Sequence, residues 1–174
     1  MQRTKAILLT GLLLLTVSVA FGQKVRTDYD HTANFTKYKT YSWLKQPDTP
    51  KDPLMKQRII DAVNMQLMAK GLKLVDSNGD LALAVHVATE EKQTLNTFYD
   101  GMGPWSWGMG GVERTTIDTY TEGTIVADLF DAQTRKVVWR AVATKEVSDK
   151  PEKVSEQVEK AIDKMFKKFP PNAV

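Results

Sequence analysis

Residues 80 to 89 hold the chain's plainest pattern: Leu81, Leu83, Val85 and Val87 alternate with Ala82, Ala84, His86 and Ala88. Successive side chains of an extended chain point to opposite faces. The stretch therefore predicts a strand partly covered on both sides, with an alanine side narrow enough for a helix to approach. Between Leu54 and Lys70 the period changes. Leu54, Ile59, Ile60, Val63, Leu67 and Met68 recur at helical spacing, and Gly71 stands where a C-terminal cap belongs. A second helix is predicted over Glu152 to Phe169, where Val154, Val158, Ala161, Ile162, Met165 and Phe166 form one stripe until Pro170-Pro171 ends it. Aromatic and β-branched residues predict strands over 24–30, 38–44, 115–130 and 136–147. Pro47 to Pro53 reads as a loop, and Asp131 to Arg135 suits a tight hairpin turn. The order β-β-α-β-β-β-α predicts an α+β fold: a mostly antiparallel sheet of about five strands with both helices packed on one face. Tyr41 and Trp43, which share a strand face, and Trp139, mid-strand after the turn, are expected as buried anchors.

The first 22 residues follow another rule. Arg3 and Lys5 precede an apolar run from Ala6 to Ala20, and Ala20-Phe21-Gly22 places small residues where a signal peptidase reads them. Export and cleavage before Gln23 are expected, leaving a single domain over 23–174. The run is shorter than the roughly 20 residues a spanning helix needs, and no second candidate follows, so no transmembrane span is expected after cleavage. The chain has no cysteine, which excludes acylation at a cysteine, disulfides and thiolate metal sites. Once Arg3 and Lys5 are removed, 22 basic residues stand against 21 acidic ones. That balance gives no drive toward nucleic acid. The expected location is the periplasm or cell envelope, in soluble form.

Several stretches then point to a family. Val25-Arg26-Thr27-Asp28-Tyr29-Asp30, Phe35 to Trp43, Asp80-Leu81-Ala82-Leu83, Tyr120 to Thr124 and Asp131 to Trp139-Arg140 resemble the bacterial domain-of-unknown-function family 4136. The likeness covers essentially the whole chain after residue 22. It implies an exported envelope protein, often lipoprotein-like, and it brings no activity or catalytic residues with it. This chain departs from the lipoprotein members in lacking the acylated cysteine.

Candidate chemistry is sparse. A serine triad needs a histidine held by a carboxylate, and only His31 and His86 exist. His86 has no acidic residue nearer in sequence than Asp80 or Glu90, so it reads as a structural or surface histidine. Asp28-Tyr29-Asp30-His31 is the densest set of metal-ligand types, but on a strand His31 points away from Asp28 and Asp30, and a strand-end turn is the expectation. No phosphate-binding glycine motif is present. The glycines gather instead at Gly101, Gly103, Gly108, Gly110 and Gly111, interleaved with Met102, Pro104, Trp105, Trp107 and Met109. Leu95 to Arg114 is therefore predicted as one long loop, and loops of that length are functional or disordered.

Met102, Trp105, Trp107 and Met109 are the candidate partner-binding residues, offering adaptable apolar area. The competing readings are a flap over the domain's own core and a disordered tip. No catalytic, metal or cofactor-binding residue is assigned. The leading expectation is a non-enzymatic binding or assembly module of the envelope whose partner is another envelope protein. The alternative is a carrier of a small apolar ligand between sheet and helices, and an uncharacterised hydrolase ranks third.

Overall fold

The structure, a computed structural model, describes residues 23–49, 52–100 and 112–171; of 96–100 and 112–115 it describes the backbone. Six strands form, β1 (Lys24–Tyr29), β2 (Thr40–Lys45), β3 (Lys73–Leu74), β4 (Leu81–Asp100), β5 (Val112–Asp131) and β6 (Val137–Glu146), with two helices, α1 (Pro53–Ala69) and α2 (Pro151–Phe166). Local chemistry sets the bounds of α1. The Asp52 side chain accepts from the Met55 N–H at 2.8 Å and Pro53 opens the first turn, where a missing N–H costs nothing. At the other end Gly71, with φ +84°, donates to the Met68 carbonyl, and Leu72 donates to that of Leu67. This is the double closure of a glycine-terminated helix, and it tucks Leu72 into the core.

The sheet runs β1-β6-β5-β4-β2-β3. Pairings β1–β6, β5–β6 and β4–β5 are antiparallel, whereas β2 pairs in parallel with both β3 and β4. The sheet is thus mixed and six-stranded rather than mostly antiparallel with about five. The cause is α1: a helical crossover returns the chain to the end of the sheet where β2 began, so the next strand must run parallel to it. The added strand β3, two residues long, is too short for an alternation pattern to reveal. Close packing then carries the chain from β3 to β4. A Cβ on Gly79 would lie 2.5 Å from the Tyr41 carbonyl carbon, so only glycine lets this segment pass β2.

Both helices cover the face bearing Leu81, Leu83, Val85, Ile125, Ala127, Leu129, Trp139, Ala141 and Ala143, against which Ile59, Val63, Leu67, Ile162, Met165 and Phe166 are packed. The alanine side of β4 faces away from them, contrary to the expectation that a helix would approach it. Branched leucine and valine bury more apolar area per residue, and the outer face carries Asp128 and Arg140, cross-strand partners joined at 2.6 and 2.8 Å. Trp139, 1% exposed, packs against Phe166 in a tilted contact and against Phe169 edge to face, at centroid separations of 4.9 and 5.2 Å. Tyr41 is fully buried and Trp43 partly so; the Tyr41 hydroxyl and the Trp43 ring N–H both donate to Asn64 Oδ1 of α1, at 2.9 and 3.1 Å. Burial pushes the Tyr41 phenol up to about 12.

Candidate functional site

Two regions at opposite ends of the sheet concentrate polar groups or exposed apolar ones. The first lies where β5 turns toward β6. Asp131 is 3% exposed, and its Oδ2 accepts from Lys37 Nζ and the Tyr38 hydroxyl, each at 2.8 Å. Its Oδ1 accepts from the backbone N–H groups of Gln133 and Thr134, closing the turn in which Arg135 adopts φ +58°. These bonds, with the lysine first, hold the Asp131 carboxyl well below the usual carboxylate range. Burial and the same carboxylate push the Tyr38 phenol above its ordinary value. Nearby, Asp80 Oδ2 accepts from the N–H groups of Lys39 and Thr40 at 2.8 and 2.9 Å, and these bonds hold its carboxyl low as well.

A groove of about 400 Å³ lies over these groups, lined by Lys37, Tyr38, Asn78, Asp80, Asp131 and Gln133. Its carboxylates are occupied in tying residues 37–40 to the ends of β4 and β5. A carboxylate held this low has no proton to deliver near neutral pH. The region therefore acts as a clamp on the fold. The sequence pointed to Asp131 only as a turn residue; its second task, gripping Lys37 and Tyr38 across 93 or more residues, has no local signature.

The second region is a ribbon. β6 pairs with β5 only as far as Glu122, and β2 pairs with β4 only over Leu81 to Ala84. β4 and β5 continue together from Glu91↔Thr121 to Asp100↔Val112, ten pairs that project about 33 Å at strand rise. Six threonines lie in these two segments, and their β-branching suits an extended chain with no helix beside it. Residues 95–100 and 112–114, predicted as loop, are therefore strand; polarity concealed the pairing. Leu95 and Ile117 sit directly opposite each other, 68% and 59% exposed. Lys92 bridges to Glu122 at the ribbon's base, which raises the Lys92 ammonium above its ordinary value. Met102, Trp105, Trp107 and Met109 fall outside the described residues.

The other candidates separate. His86 is exposed on the alanine face. Asp30 follows β1 and accepts from the Thr32 N–H and hydroxyl, a strand-end turn, while His31 lies against the Tyr29 ring at 4.3 Å. Among the described residues no group of three or more His, Asp or Glu is placed to hold a metal ion, and no helix is long and apolar enough to cross a membrane. A cleft of about 130 Å³ opens between sheet and helices near the ribbon base, lined by Met55, Ile59, Val87, Ile125, Val158 and Ala161 among others.

A layer of two helices on a mixed sheet, clamped at the β5–β6 turn and extended as a ribbon at the other end, defines an α+β domain. The chain belongs to the family described as Domain of unknown function (DUF4136), whose model matches residues 25–171. A DUF4136 family protein from Bacteroides thetaiotaomicron shares the fold at 17% identity and TM-score 0.56, over 85% of this chain and 96% of that one. A PDZ domain protein from Parabacteroides distasonis aligns at 12% identity and TM-score 0.58, over 85% of this chain. This chain spans only 35% of that protein's length. A PelC dodecamer from Paraburkholderia phytofirmans aligns at 17% identity and TM-score 0.51, over 83% and 94%. No curated protein matches the chain.

Proposed function

We propose that the chain is an exported, non-enzymatic binding or assembly module of the cell envelope, and that the β4–β5 ribbon is its contact element. The observation that carries this reading is the ribbon itself: ten strand pairs beyond the sheet with Leu95 and Ile117 exposed across from each other. A two-stranded ribbon in water is marginal unless something packs against it. Among the described residues no third strand pairs with it beyond Glu122, and an open strand edge is a ready template for adding a strand. The long-range carboxylates, Asp80 and Asp131, are engaged in the clamp, which fits a role in contacts rather than turnover. The likeness to PelC adds that this fold occurs in a protein that forms a dodecamer. A photo-reactive residue at position 95 or 117 should give covalent adducts in cells, either with a second copy or with another envelope protein, while one at exposed Lys160 of α2 should give none. Adducts absent at 95 and 117 would contradict the assignment.

The cleft beside the ribbon base supports a second reading, a carrier for a small apolar ligand. Its volume of about 130 Å³ is close to that of an engineered cavity that takes benzene, so it suits a small apolar group. Native mass spectrometry of protein purified from the envelope separates the readings: a retained small molecule favours the carrier.

A further inference from the structure

Gln23 stands just before β1 and lines the cleft with Val147, Val154 and Gln157. Its side-chain nitrogen Nε2 is closed off from solvent yet has no hydrogen-bond partner, the one such side-chain atom among the described residues. Buried donors of an amide are almost always paired, because leaving one orphaned forfeits its hydration without return. The same residue becomes the amino terminus if the chain is cleaved after Gly22. We infer that Gln23 is a modification site at which the mature chain closes to an amino-terminal pyroglutamate. The inference rests on the proposed export and cleavage.

The chemistry needs no co-reactant. The free α-amino nitrogen of Gln23 attacks its own side-chain carbonyl carbon Cδ; the N–Cδ bond forms as the Cδ–Nε2 bond breaks, and Nε2 leaves as ammonia with the proton the amine gives up. The atom expelled is the orphaned donor. Cyclisation also replaces a charged ammonium with a neutral lactam beside a cleft whose walls include Val147, Val154 and Val158, a change that favours the closed form wherever the chain end lies against apolar surface. The closed end carries no free amine for an aminopeptidase to bind.

The test uses the full chain expressed with its leader and purified from the cell envelope. Digestion before aspartate releases residues 23–27 as one amino-terminal peptide, read by tandem mass spectrometry beside a synthetic Gln-Lys-Val-Arg-Thr taken through the same steps. The expected result is a peptide beginning at position 23 and lighter by one ammonia, with the synthetic peptide still open. A peptide beginning at Gln23 with its full mass overturns the modification and leaves cleavage standing. Closure of the synthetic peptide to the same extent also overturns it. A different first residue overturns the modification together with the cleavage on which it rests.

Discussion

The two ends of the sheet obey opposite rules. At the β5–β6 turn, polar side chains are buried and matched: Asp131 receives four hydrogen bonds, two from side chains of a distant segment and two from its own turn. At the ribbon, apolar side chains are exposed: Leu95 faces Ile117 across the strands, and among the described residues no helix covers them. The residues that carry the family likeness gather mostly at the first end and in the core beneath it. Phe35 to Trp43, Asp80 to Leu83 and Asp131 to Arg140 together build the clamp, the Asn64 junction and the aromatic packing around Trp139. Family membership is thus written in residues that hold the fold.

If the helix layer and the clamp hold the fold while the ribbon does not, substitutions should rank accordingly. The largest loss is expected from Ile162→Asp, which buries an unpaired charge on α2 where Ile162 is fully enclosed. A cost of about 4 kcal/mol is expected. Lys160→Asp on the exposed side of the same helix, where only a surface pair with Glu156 is lost, should cost about 0.5 kcal/mol or less. Urea unfolding of both variants measures the gap.

Next comes Asp131→Asn. Losing the charge-assisted bonds to Lys37 and Tyr38 should cost about 2 to 3 kcal/mol. The pH dependence has a definite sign: because the folded Asp131 carboxyl lies below its unfolded value, its contribution is present above about pH 4 and is lost as pH falls below that. The wild type should therefore lose more stability than Asp131→Asn between neutral pH and pH 3. Equal losses would remove the clamp from the account. A smaller effect, about 1 to 2 kcal/mol, is expected for Asn64→Leu, which leaves the Tyr41 hydroxyl and the Trp43 ring N–H without their shared acceptor. Near-ultraviolet circular dichroism should change with it.

Periodicity made most of this fold legible. Both helices, the turn at Asp131 and the core places of Trp139 and Tyr41 follow from apolar spacing and turn chemistry. The parallel pairing of β2 was hidden because alternation fixes which face a residue occupies and says nothing of which strand lies beside it. The helices cover the opposite side of β4 from the one its narrow alanines suggest, because size decides it: Leu81, Leu83 and Val85 are fully buried while His86 lies open. The ribbon has no sequence signature because Glu91, Lys92, Gln93 and Thr94 carry no apolar alternation, and what holds that segment extended is its pairing with β5. The tryptophan segment stands out by composition, and it falls outside the described residues.

The smallest expected effect on stability is also the most direct test of the ribbon's role. Residues 91–121 are removed and Glu90 is joined to Glu122 through an Asn-Gly turn, which suits a two-residue hairpin. Thermal melting and chemical cross-linking in whole cells are then measured on the shortened and intact chains side by side. Because none of the described side chains of residues 91–121 belongs to the helix-covered core, the melting temperature should stay within about 2 °C, while the cross-linked adducts of the intact chain disappear. A fall of many degrees would make the ribbon part of the fold, and adducts that persist unchanged would place the contact surface elsewhere.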